Sequence, residues 1–162
     1  MRDIMTVITF LILICSQTVA AELKKLALDD ASSIGLKIQT DTSVKTEGKG
    51  AIKITTSWPT TVCLGEVNGL DIEDAKLVYA AKVKSDIDGT VFLEMWAHVA
   101  GGQYFSKGMN DVIQGKSDWK TIRTPFLFQK GQRPTKVTLN VVINGIGTVW
   151  IDDIVLSKEP LK

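Results

Sequence analysis

Apolar and polar residues alternate with a period of two along much of the chain. Ile52 and Ile54 alternate with Lys53 and Thr55; Leu77, Tyr79, Ala81 and Val83 with Val78, Ala80, Lys82 and Lys84; Val137, Leu139, Val141 and Ile143 with Thr138, Asn140 and Asn144. Successive side chains of a strand point to opposite faces, so this pattern predicts strands with one buried face. Asp88-Gly89, Gly101-Gly102, Gly131 with Pro134, and Asn144-Gly145 with Gly147 interrupt the alternation and read as loops between short strands. Short strands at fairly even spacing predict an all-β antiparallel sandwich or barrel. No helix is expected beyond a short turn such as residues 72–75.

One strand carries more than packing. Over residues 90–99, Val91, Leu93, Met95, Ala97 and Val99 form a uniformly apolar face, which predicts that Phe92, Glu94, Trp96 and His98 share the other. Sugars stack their C–H faces on aromatic rings and hydrogen-bond through hydroxyls to planar polar groups, so this set suits a glycan platform. The competing reading is that a loop or the amino-terminal segment covers this face. Asn140, on the polar side of residues 136–143, could reach the same ligand. If end loops bind instead, Trp58 beside Pro59 and Tyr104 after Gly101-Gly102 are the stacking candidates.

The closing stretch, GIGTVWIDDIVL at residues 145–156, puts Asp152 and Asp153 inside an apolar strand. Strict alternation would point one of them with the core residues. A buried carboxylate without partners costs several kcal/mol, so that residue should meet backbone amides, a cation or a metal, unless it reaches water at an edge. Calcium is the leading metal, since hard cations take carboxylate and carbonyl oxygens.

This stretch resembles the last strand of jelly-roll carbohydrate-binding modules of the galactose-binding-like superfamily. GKGAIKI at residues 48–54, LVYAAKVKSDIDGTVFLEMW at 77–96 and SDWKTIRTPFLFQKG at 117–131 are similar to further segments of such modules, in the same order. The resemblance implies a β-sandwich jelly roll, a central hairpin at 77–96 and a structural tryptophan at Trp119. It also implies a ligand site on the concave sheet face or the end loops. For the metal it implies a structural calcium held by Asp152 or Asp153 with backbone carbonyls of Gly48, Lys49 and Gly50.

Arg2, an apolar run over residues 4–14 and Thr18-Val19-Ala20-Ala21 have the architecture of a signal peptide, so residues 1–21 are expected to be removed, leaving one domain over 22–162. Cys15 raises a lipoprotein reading, but bulky Ile14 precedes it where a small residue is expected. The expected location is secreted or periplasmic, with no stable membrane insertion after cleavage. Loss of Arg2 and Asp3 leaves the net charge at +1, which favours neither nucleic acid nor an anionic membrane. Cys63 is the remaining cysteine and is expected to be a buried small hydrophobe.

Catalytic signatures are sparse: His98 is the one histidine, and no nucleophile elbow, metalloprotease helix or phosphate loop occurs. Glu94 with Asp86, Asp88 or Asp111 could form a carboxylate pair for glycoside hydrolysis, but a small sandwich offers a shallow groove. The expectation is a non-catalytic binder of a poly- or oligosaccharide; the alternative is a structural or protein-interaction sandwich of the cell envelope.

Overall fold

The computed structural model describes residues 21–26 and 38–161. The expected leader, with Cys15, lies outside the described residues except for Ala21. The strands are β1 (Ala21–Leu26), β2 (Ile38–Asp41), β3 (Ala51–Thr56), β4 (Thr60–Asn68), β5 (Ala75–Val99), β6 (Gly102–Lys107), β7 (Ile113–Gln114), β8 (Ser117–Phe128) and β9 (Pro134–Pro160). One turn of 3-10 helix, Met109–Asp111, precedes β7. Residues 72–75 form no helix; Ile72 is buried ahead of β5.

Two strands are far longer than the pattern predicts. β5 runs 25 residues and β9 runs 27, and they pair antiparallel from Ala75↔Pro160 to Val99↔Pro134. The segments read as loops at Asp88-Gly89 and Asn144-Gly145 are instead the middle of this ribbon, where Gly89 faces Gly145 and Ile87 faces Gly147. Likewise residues 77–96 are not a hairpin but part of one strand. Glycine serves close approach here rather than a turn. A Cβ on Gly145 would collide with the Asp88 carbonyl oxygen, and one on Gly89 with that of Asn144. Gly101-Gly102 and Gly131 do lie at turns, leading into β6 and β9.

On either side of this glycine crossing the ribbon has different neighbours. Toward Ala75 and Pro160, β8 pairs with β5, and β1 and β3 pair with β9, with β2 beyond β3. Toward Val99 and Pro134, β6 and β7 pair with β5, and β4 pairs with β9. The inward side chains of both halves join one core, so the sheet folds over itself into an antiparallel β-sandwich of two layers.

Parity survives the crossing on β5. Leu77, Tyr79, Ala81 and Val83 are buried in the first layer, and Val91, Leu93, Met95 and Ala97 in the second. Each large apolar side chain fully buried contributes about 1.5–3 kcal/mol, so a register slip of one residue would forfeit the whole face. On β9 parity changes once. Val149 and Ile151 are buried, then Ile154 and Leu156, because Lys82 pairs with Asp152 while Ala80 pairs with Val155: two steps on β5 against three on β9. Asp153, at φ 50°, is the extra residue of a β-bulge. The bulge overturns strict alternation, and with it the expectation that one aspartate points with the core set. Both lie on the outer side with Lys82.

Trp119 also departs from expectation. Val83 pairs with Lys120 and Ser85 with Ser117, so Trp119 shares a second irregularity with Asp118 and is half-buried outside the core cluster.

Gly145→Ala should lower unfolding stability by roughly 2 to 4 kcal/mol, since its methyl group meets backbone that cannot yield. Gly69→Ala, at φ 69° with open space around it, should cost only the strain of a left-handed alanine, about 1 to 2 kcal/mol. Denaturant titration of both variants checks the contrast; equal losses would contradict the glycine crossing.

Candidate functional site

Since Val91, Leu93, Met95 and Ala97 fill the core, the intervening residues of β5 face out of the second layer. Cross-strand pairing places Glu94 between Asn140 and Lys107, Trp96 between Thr138 and Phe105, and His98 between Lys136 and Gln103. On the far side of β9, Cys63 pairs with Asn140 and Glu66 with Thr138. The face thus draws on β4, β9, β5 and β6.

Glu94 organises its centre. Glu94 is 7% exposed, and its Oε1 accepts from Trp96 Nε1 at 2.7 Å and from Asn140 Nδ2 at 3.2 Å. Lys107 Nζ lies 3.7 Å from Oε2. Two donors and a cation offset the desolvation that a buried carboxylate would otherwise suffer. The consequence is a fixed indole: Trp96 cannot rotate without leaving Glu94 a donor short. Phe105 packs against it with ring centroids 5.2 Å apart, and Lys107 Nζ sits 5.3 Å from the Phe105 ring centre.

The polar network continues beyond the rings. Thr138 Oγ1 lies 3.5 Å from His98 Nε2 and donates to Glu66 Oε1 at 3.3 Å, which also accepts from Lys136 Nζ at 2.7 Å. The Lys136 ammonium beside Glu66 holds that carboxyl below the usual carboxylate range. Glu94 and Glu66 are matched by Lys107 and Lys136, so the face carries balanced charge around an aromatic centre.

Not all of the expected residues meet here. Glu94, Trp96, His98 and Asn140 do, with Asn140 committed to Glu94. Phe92 lies on the same face but is 4% exposed, so its ring is not available for stacking. Tyr104 pairs with Ala97 and so projects from β6 toward the opposite side from Trp96. Trp58 is exposed in the turn joining β3 to β4, beyond the Phe92 end of the face. Cys63, expected in the core, is exposed on this face, because Leu64 takes the inward position of β4. Phe105 went unrecognised although its signal exists: counting outward from the turn at Gly101, residues 96 and 105 fall opposite one another.

The aspartate pair has a different chemistry from the one expected. Asp152 Oδ2 accepts from Thr46 N at 2.6 Å, Thr46 Oγ1 at 2.8 Å and Glu47 N at 3.1 Å, and Oδ1 accepts from Asp153 N at 2.9 Å. Lys25 Nζ and Lys82 Nζ each lie 3.1 Å from Asp153 carboxylate oxygens. Lys45 Nζ donates to the carbonyl oxygens of Gly48 at 3.0 Å and Lys49 at 3.4 Å. Gly50 is buried, and a Cβ there would press on Thr40 and the Asp41 backbone. These residues do not fit calcium: N–H, O–H and ammonium donors engage Asp152 and the Gly48 and Lys49 carbonyls, and although Asp153 Oδ1 is buried without a hydrogen bond, the Lys25 ammonium stands 3.1 Å from it and would repel a second cation. Burial acts to raise the Asp153 pKa, but Lys25 and Lys82 outweigh it and hold the carboxyl below its ordinary range.

No family model and no curated protein matches the chain. Its fold is nevertheless that of known modules. The CBM22-1–GH10 modules of endo-1,4-β-D-xylanase 10B from Clostridium thermocellum, solved with xylohexaose, superpose with a TM-score of 0.57 at 12% identity, over 89% of this chain and 28% of that one. The CBM22-1 xylan-binding domain of Paenibacillus barcinonensis Xyn10C gives 0.55 at 10% identity, over 78% and 83% of the two chains. The Stig cyclase Fisc from Fischerella sp. TAU gives 0.54 at 16% identity, over 76% and 71%. The antiparallel sandwich expected from the resemblance to carbohydrate-binding modules is therefore the observed fold.

The melting temperature should be unchanged by EDTA or by added calcium. It should fall once the pH drops below about 4, because a depressed carboxylate pKa stabilises the fold above the unfolded value and that stability is lost on protonation. Calorimetry across pH with and without chelator checks both; a rise of several degrees with calcium would contradict this account of the aspartates.

Proposed function

We propose that this chain binds carbohydrate without acting on it, through the outer face of the second layer. The observation that carries the reading is the Trp96–Phe105 pair, locked by Glu94 on a rigid strand and left partly open to solvent. A pyranose presents C–H groups on its faces and hydroxyls around its rim. The two rings offer a shelf for the former, and Gln103, His98, Thr138 and the ends of Lys107 and Glu66 surround it with donors and acceptors for the latter. Balanced charge supports an uncharged polysaccharide over an acidic one. Xylan is the first ligand to try, because solved structures of the same fold are a xylan-binding domain and modules holding xylohexaose.

Glu94 supports binding over catalysis. Its carboxylate is held by Trp96 and Asn140 rather than set facing a second acid across a groove. The apolar leader supports export, to a secreted or periplasmic location. A protein partner of the cell envelope is the second reading, favoured by β6, which shows Tyr104 and Phe105 at 50% and 55% exposure along a sheet edge.

Trp96→Ala and Phe105→Ala should each weaken binding to xylohexaose or soluble xylan by about 1 to 3 kcal/mol, roughly 5- to 150-fold, in the range for interface aromatics. Circular dichroism should show both variants folded. Unchanged affinity in a folded Trp96→Ala protein would reject the face as the site.

A further inference from the structure

The first layer carries a second half-buried tryptophan on its outer surface. Trp150 of β9 lies between Lys53 of β3 and Lys84 of β5, with its side chain away from the core. One side of the indole is fastened. Its Nε1 donates to Asp41 Oδ2 at 3.0 Å, and Lys53 Nζ stands 5.4 Å from the ring centre. Asp41 is itself pinned, accepting through Oδ1 from Ser43 N at 3.0 Å, Ser43 Oγ at 2.6 Å and Val44 N at 3.2 Å. These bonds, Ser43 first, hold its carboxyl far below the ordinary range, at about 2.

The other side of the indole opens on a hollow of about 390 Å³, bounded by Lys84, Asp86, Lys116, Ser117 and Asp118. That volume lies at the lower end of small-molecule sites, roughly 300–1,000 Å³, and suits a short ligand. Its charges alternate: Lys84 pairs with Asp118 at 2.6 Å and Lys116 with Asp86 at 3.7 Å. Exposed ion pairs of this kind contribute little, so a hydroxyl can enter between the partners, accepting from the ammonium and donating to the carboxylate. Two cations against two anions select no charged ligand.

The geometry points to a second saccharide site, in which one neutral pyranose stacks against Trp150 and its hydroxyls engage Asp86, Asp118 and Lys84. It rests on the same stacking chemistry as the Trp96 face but on separate residues of the opposite layer. With both sites occupied the protein is bivalent and links two glycan chains, a gain in avidity that needs no new contact.

Isothermal titration with xylohexaose, cellohexaose and mannohexaose at millimolar concentration separates the sites. The wild type should take up two ligands per chain, Trp96→Ala one and Trp150→Phe one with at least fivefold weaker residual binding. Asp118→Ala, at a side chain 93% exposed and so harmless to folding, should weaken the Trp150 site severalfold. A stoichiometry of one that Trp96→Ala abolishes would overturn the second site and leave the first standing. One ligand retained in Trp96→Ala and lost in Trp150→Phe would support the Trp150 site and reject the Trp96 face. No heat with any of the three sugars would overturn the second site.

Discussion

The structure depends on the antiparallel pairing of β5 and β9 through the crossing where Gly89 meets Gly145 and Ile87 meets Gly147. Two backbones approach there more closely than any side chain allows, and the ribbon passes from one layer to the other without losing register. Because residues still alternate across the crossing, a single parity choice buries Leu77, Tyr79, Leu93 and Met95 together. The same choice turns Glu94 and Trp96 outward. Core and candidate site are therefore one decision: shifting β5 by a residue would drive the Glu94 carboxylate into the apolar core, away from its donors, and expose the core residues at once.

That coupling explains what the sequence made legible. Period-two alternation identified an all-β sandwich or barrel, the buried face of residues 90–99 and the outward set from Glu94 to His98, because each depends on local order alone. The resemblance to carbohydrate-binding modules narrowed the fold to the sandwich. The length of β5 and β9 was not legible, since a glycine for close approach and a glycine for a turn look alike without the partner strand. The bulge at Asp153 was hidden for a related reason: it appears only when two steps on β5 are counted against three on β9. Phe105 depends on the hairpin register, and Phe92 on what covers it rather than on which face it shares.

The carboxylates show how one residue type divides its work. Asp152 is held by amide and hydroxyl donors, Asp153 is ion-paired with two ammonium groups, and both serve the fold. Glu94 and Asp41 instead each hold an indole by its N–H, one on either layer. A tryptophan fixed in this way gives up its rotameric freedom during folding rather than on binding, which favours a stacking surface over a merely exposed ring.

The most direct measurement is an NMR titration of the full chain with xylohexaose, following the Trp96 indole N–H and the Phe105 ring protons. The expected result is that both move on one binding curve, with the Trp96 N–H staying protected from solvent exchange because Glu94 still accepts it. Binding that leaves Trp96 and Phe105 unmoved while signals elsewhere shift, or a Trp96 N–H that exchanges freely in the unliganded protein, would contradict the account.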